Sequence, residues 1–245
     1  MNPSAALFHK DYHELPKETK EEMRQLLQRL MELTGANAGG HSVFHDDMFV
    51  WFRNLFFTTD PKFDEACGSL DFVLRARLWR LYTLCWACVQ SLRHEGSIVD
   101  IGTYDGRALE VVLRYAQPKR LVMAYDFFDE PPEESRKRDH GPELWEKVKE
   151  RLKPWDAVVH KGDVMKFLWT FPQKIAFCQI DLNDAEAESK VFPAVYERMT
   201  PGGIVVFDDY GFARYRNSAL AHQKYLEGKE QILELPTGQG LFIKA

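Results

Sequence analysis

Acidic residues close three apolar runs in this 245-residue chain: Asp126 after residues 121–125, Asp181 after 175–180, and Asp208-Asp209 after 203–207. Apolar residues directly before each acid place them at the ends of buried strands rather than on free surface. Asp181, Asp208 and Asp209 are expected to converge on one edge of a sheet. Three close carboxylates repel one another and need a counter-charge. A hard divalent cation with oxygen ligands, Mg2+ foremost, would supply it. A metal held there would bind a hydroxyl and lower its pKa, which places Asp181 among the candidate catalytic residues. Each of these acids could instead cap a helix or bond a loop.

A fourth apolar run ends in an acid and then turns on two glycines: Gly96-Ser97-Ile98-Val99-Asp100-Ile101-Gly102-Thr103-Tyr104-Asp105-Gly106. Glycines let the backbone turn tightly and approach a ligand with no Cβ in the way. The helix that follows points its free N–H groups back at that ligand. Asp100, Gly102, Thr103, Tyr104 and Gly106 are therefore the candidate cradle of a nucleotide-like cofactor. The spacing is Asp-x-Gly-x-x-x-Gly, and the dinucleotide fingerprint Gly-x-Gly-x-x-Gly is absent. That points away from NAD and toward S-adenosylmethionine, which has no pyrophosphate to cradle. Asp126 is placed to grip a ribose diol, since a carboxylate accepts from both hydroxyls. Its neighbours Phe127 and Phe128 could flank an adenine. Asp163, with Val164 beside it, either accepts from the exocyclic amine or caps the next helix.

A transfer reaction also needs a base, and histidine is the side chain suited to it near neutral pH. Of the eight histidines, His45 and His140 are the candidates. His45 lies in an aromatic segment, with Trp51, Phe52, Phe56 and Phe57, that could close over the site or form a dimer surface. The basic run Arg136-Lys137-Arg138 reads as a solvated face.

The elements that must position these groups follow from periodicity. Residues 17–33 read as an amphipathic helix and 70–92 as a long core helix that carries Arg75, Arg77 and Arg80. Strands are expected at 98–101, 121–125, 157–160, 175–180, 203–207, 232–235 and 241–244. Helices fill 107–116, 143–152, 163–170, 184–199 and 215–227. This alternation predicts an α/β fold with a seven-stranded, mostly parallel sheet and an antiparallel last hairpin linked through Pro236-Thr237-Gly238-Gln239-Gly240. Residues 1–70 are expected to form a helical cap and 71–245 the sheet domain.

Composition bounds the function classes. Apolar content of 45% suffices for a core, and the net charge of −5 argues weakly against nucleic acid or an anionic membrane as partner. No uncharged run approaches the length of a membrane span, and the first residues hold no apolar core of a signal peptide. The four cysteines with no such signal suggest a reducing, cytoplasmic setting. Cys85-x-x-Cys88 sits in an apolar helical run, which favours core packing over a redox or zinc motif.

Together these residues resemble the class I S-adenosylmethionine-dependent methyltransferases, and within them the metal-dependent macrocin O-methyltransferase type. The resemblance covers about residues 75–245. Val99-Asp100-Ile101-Gly102-Thr103-Tyr104-Asp105-Gly106 looks like the family's Val-Glu-Cys-Gly-x-x-x-Gly. Tyr125-Asp126-Phe127-Phe128-Asp129 looks like its Asp-x-Phe-acid segment. Pro201-Gly202-Gly203-Ile204-Val205-Val206-Phe207-Asp208-Asp209-Tyr210-Gly211 matches its Pro-Gly-Gly…Asp-Asp-Tyr-Gly segment most closely. The resemblance implies a Rossmann-like methyltransferase fold, S-adenosylmethionine over the glycine turn, and Mg2+ on Asp181, Asp208 and Asp209. It implies methylation of a hydroxyl on a natural-product or sugar-like small molecule by an enzyme that could be a homo-oligomer. The chain departs from the family after Asp181, where Leu182-Asn183-Asp184-Ala185-Glu186-Ala187 replaces Gly-Asp-Leu-Tyr-Glu-Ser, and at Gln179 and Glu130. The sugar substrate is therefore not carried over. A metal-independent N- or C-methyltransferase and a catalytically degenerate interaction module are the alternatives.

Overall fold

The computed structural model describes residues 16–34, 42–45, 48–51, 55–68, 77–128 and 143–245. The chain forms two compact units, residues 1–56 and 57–245. In the first, helix α1 (Lys17–Thr34) precedes a two-stranded antiparallel hairpin of β1 (Ser42–His45) and β2 (Met48–Trp51). The expected α1 is present. The hairpin was not anticipated, although Ser42-Val43-Phe44-His45 and Met48-Phe49-Val50-Trp51 are rich in residues that favour strands.

The second unit begins with α2 (Pro61–Cys67) and α3 (Leu78–Ser91). Asp60 caps α2 by accepting from the Lys62 and Phe63 amides at 2.9 and 3.4 Å, and its other oxygen accepts from the Tyr115 hydroxyl. Strands and helices then alternate: β3 (Ser97–Ile101), α4 (Arg107–Ala116), β4 (Val122–Asp126), α5 (Leu144–Leu152), β5 (Val158–Lys161), β6 (Ile175–Ile180), α6 (Ala185–Tyr196), β7 (Met199–Phe207), α7 (Arg216–Leu226), β8 (Leu233–Glu234) and β9 (Gly240–Ile243). Residues 164–170 form a 3-10 turn where a helix was expected.

The sheet runs in the order β5-β4-β3-β6-β7-β9-β8. The first five strands in that order are parallel to their neighbours, and β9 pairs antiparallel with both β7 and β8. All seven expected strands are present. Every residue of β6 is buried, as a central strand covered on both faces requires. The core joins Val99, Ile101, Tyr125, Ile180, Phe192, Phe207 and Phe242, and each large apolar side chain so buried contributes about 1.5–3 kcal/mol. The connection after β3 leads to β4 and β5 on one side, while β6 and β7 lie on the other. The carboxyl ends of β3 and β6 thus flank a topological switch point, where open α/β sheets bind ligands.

Candidate active site

The glycine turn sits at that switch point. The Gly102 amide donates to the Tyr125 carbonyl at 2.8 Å, the Asp181 amide to the Ile101 carbonyl at 2.8 Å, and the Asp208 amide to the Ile180 carbonyl at 3.0 Å. These bonds extend the ladder by one residue per strand and set Gly102, Asp181 and Asp208 in a row along the carboxyl edge. Gly102 has φ +92°, and a Cβ there would lie 1.9 Å from the Asp181 carbonyl oxygen. Gly106, in the left-handed region at φ +74°, opens α4. Arg151 of α5 holds this turn from outside through the Asp105 carbonyl and through Glu110.

Asp126 closes the cradle from β4. Its Oδ2 accepts from the Tyr104 amide at 2.7 Å and its Oδ1 from the Phe128 amide at 2.9 Å. Each carboxylate oxygen has a second lone pair, so a diol can still be gripped. Tyr104 is held at φ +52°, a costly conformation for a tyrosine that the Asp126 bond helps to maintain. Asp100 is almost fully buried beneath the turn. Burial raises its pKa to about 7, and the nearby Asp126 and Asp208 carboxylates add to the rise, while a bond from Thr103 opposes it. Thr103 is buried, and its hydroxyl donates to the Asp100 carbonyl. Phe127 is half-buried beside Asp126. Phe128 is fully buried in the core and cannot flank an adenine. Asp163 caps the turn at 164–170 through the Met165 amide, and the Val164 side chain belongs to the core.

The acids on the other side of the switch point surround a cation from the chain itself. Arg80, on the buried face of α3, sends one Nη2 to three oxygens: the Asp208 carbonyl at 2.6 Å, Asp208 Oδ2, and Asp209 Oδ1 at 2.9 Å. The second oxygen of Asp208 accepts from Gln239 Nε2 at 3.1 Å. That amide is fully buried and oriented by the Thr237 hydroxyl, which donates to Gln239 Oε1 at 3.0 Å. Burial works to lower the Arg80 pKa, yet the carboxylates of Asp208, Asp209 and Asp181 outweigh it and raise the value. Asp181 is half-buried at the rim, and its Oδ1 accepts from Asn183 Nδ2 at 2.5 Å.

Residues 99–210 match a family described as a methyltransferase domain. That stretch is similar to a methyltransferase domain. Solved structures agree on the fold. The O-methyltransferase NovP superposes with a TM-score of 0.57 at 16% identity, covering 69% of this chain and 81% of its own. CalS11, a TDP-rhamnose 3'-O-methyltransferase of calicheamicin biosynthesis, gives 0.56 at 21%, covering 77% and 89%. TomG of Streptomyces achromogenes, an O-methyltransferase solved with S-adenosylmethionine, gives 0.53 at 14%, covering 78% and 95%. No curated protein matches the sequence.

The cradle suits a nucleoside-bearing donor through the α4 N-terminus and Asp126, while Gly102 lets the turn pack against the Asp181 carbonyl. The metal expectation fares differently. The counter-charge anticipated from Mg2+ is Arg80, which engages Asp208 and Asp209. Among the described residues no cluster of three ligating side chains has metal geometry. In this arrangement Arg80, rather than a metal, neutralises Asp208 and Asp209.

Neither expected base can be placed. His140 lies outside the described residues, as does Phe52, and His45 closes β1 in the first unit, its side chain outside the described atoms. Two other histidines serve packing instead. His222 stacks on Phe207 at 4.0 Å, with its pKa pushed down to about 3 by burial, and His160 stacks on Tyr125 at 4.7 Å. Phe57, expected in the lid, is buried against Tyr82 of α3. Cys85 and Cys88 are fully buried on α3 as core residues. Among the described residues no helix is long and apolar enough to cross a membrane. Arg80 and Gln239 were missed. The signal for Arg80 was an arginine among the apolar residues of α3, since a buried guanidinium must be paired.

Proposed function

We propose that this methyltransferase acts on a hydroxyl oxygen of a small molecule. The observation that carries the reading is the cradle at the switch point, where Asp126 ties the glycine turn through the Tyr104 amide. The O-methyltransferase neighbours, one of them holding S-adenosylmethionine, support oxygen as the acceptor atom. Bound there, S-adenosylmethionine supplies an electrophilic methyl on a sulfonium. The protein aligns the acceptor and helps it lose a proton. Asp126 uses its remaining lone pairs on the ribose hydroxyls. Gly102 lets the turn close against the Asp181 backbone, which sets the cradle at the strand ends. Asp181 stands beside the turn, its amide bonded to the Ile101 carbonyl, and we place it as acceptor of the hydroxyl proton. His45 and His140 are alternatives for that role, separable by single substitution.

The test is calorimetric titration with S-adenosylhomocysteine, followed by methyl-label transfer from S-adenosylmethionine to a panel of hydroxylated and amine acceptors. Binding that is lost in Asp126→Ala, with label on oxygen, is the expected result. Absence of binding in the folded wild type would overturn the reading. Label found only on nitrogen or carbon would overturn the acceptor class.

A further inference from the structure

We propose that Arg80 is the resident cation of this active site, a guanidinium standing where the acids would otherwise demand a divalent metal. The inference rests on the proposed function for the acceptor chemistry alone; cation occupancy is measurable without turnover.

Four observations carry it. Arg80 comes from α3, outside the strand ends that supply the acids, so its arrival is not an accident of neighbouring sequence. Its side chain is only 7% exposed, and it meets both Asp208 and Asp209. The carboxylate of Asp208 is held on its other side as well: Gln239 donates to Oδ1, and Thr237 fixes which way that amide faces. The Phe212 ring lies 5.2 Å from the guanidinium carbon and gives the cation an aromatic face. Arginine keeps its charge when buried and binds through a planar fork, properties suited to a permanent counter-ion.

The consequence concerns substrate class. A metal-assisted enzyme selects acceptors that offer two neighbouring oxygens to one ion. Where the charge is a guanidinium already bonded to the acids, no such chelating pair is required. An isolated hydroxyl then qualifies as acceptor, and the reaction is insensitive to chelators.

The test uses Mn2+ as a spectroscopic probe. Electron paramagnetic resonance would measure bound Mn2+ in the wild type, Arg80→Met, Arg80→Lys and the double variant Arg80→Met/Asp208→Asn. The wild type and Arg80→Lys should leave Mn2+ free. Arg80→Met should gain Mn2+ affinity by about tenfold or more, because the repulsive charge is gone, and the double variant should lose that gain. Wild-type Mn2+ binding that disappears in Asp208→Asn would overturn the proposal, as would a folded Arg80→Met that gains nothing. Should Arg80→Met not fold, the wild type compared with Asp208→Asn decides alone: free Mn2+ in both upholds the proposal. S-adenosylhomocysteine binding measured on the same samples keeps the two readings apart, since its loss removes the methyltransferase assignment and leaves the Mn2+ result standing.

Discussion

Substituting Gly102 with alanine tests whether the glycine turn and the acid at the end of β6 form one mechanical unit. The new Cβ would sit 1.9 Å from the Asp181 carbonyl oxygen and 2.5 Å from its carbon, where contacts under 3.0 Å essentially never occur. One partner must retreat by about 1 Å or more, which no side-chain rotation can supply, because both are backbone. The movement threatens two ladder bonds of 2.8 Å, Gly102 to Tyr125 and Asp181 to Ile101, at about 1 kcal/mol each. Holding alanine at φ +92° adds about 1–3 kcal/mol. The sum is about 3–5 kcal/mol, a large share of the roughly 5–15 kcal/mol that stabilises a domain. For a chain of this size about 4 kcal/mol lowers Tm by about 8–16 °C. Differential scanning fluorimetry with and without S-adenosylhomocysteine measures both consequences, and the stabilising shift from the ligand should vanish in the variant. An alanine variant that keeps the wild-type Tm and ligand shift would refute the argument.

Other outcomes follow from the same geometry. Asp126→Asn places an amide group against the Tyr104 or Phe128 amide, so S-adenosylhomocysteine affinity should fall by about tenfold or more, at about 1.5–3 kcal/mol per charged bond lost; unchanged calorimetric affinity would contradict the assigned role. Asp100 titrates near 7 in the folded chain and near 3.8 in the unfolded one. Its protonated form suits the fold, so the stability it contributes is complete below pH 4 and is lost as pH rises to 7. Relative to wild type, Asp100→Asn should therefore gain about 1.4 kcal/mol per pH unit between pH 5 and 7 and nothing further above; urea melts across that range would show a flat difference if burial were not the cause. Burial pushes the Cys88 thiol up to about 12 and raises those of Cys85 and Cys178, so an aromatic disulfide reagent should label Cys67 alone in the folded protein, and rapid labelling of the others would show the core to be open.

The sheet was legible because its signals are local. Strand β6 is apolar but for Gln179, the glycine turn announces itself by spacing, and an acid lies at or beside the carboxyl end of each strand at the site. What sequence could not give was the partner of each acid. Spacing brought Asp208 and Asp209 to the edge and posed the need for positive charge. It could not say that an arginine 128 positions earlier meets that need, because the pairing depends on how α3 packs against β7. Gln239 was hidden for a different reason: Pro236-Thr237-Gly238-Gln239-Gly240 has turn composition and reads as a connector, although its amide reaches Asp208. Phe128 and Phe57 were misread because an aromatic beside a loop looks the same whether it faces a ligand or the core. The Asp163 cap was one of the two readings that sequence left open, and a Met165 amide bond places it there.

The pairing of Asp208 also has a history in time. Its carboxylate is met from α3 near the start of the second unit and from the final hairpin, and the Gln239 amide that reaches it also reaches the carbonyl of Arg80, 159 positions away. Contacts of that separation carry a large loop-closure cost and form late. On a growing chain Arg80, Asp208 and Asp209 are all synthesised well before Gln239, so the acids can find their cation while the last lock is still missing. The charge cluster is thus completed only when the C-terminal hairpin docks, and a chain that stops short of it would carry the five parallel strands around an unfinished charge cluster.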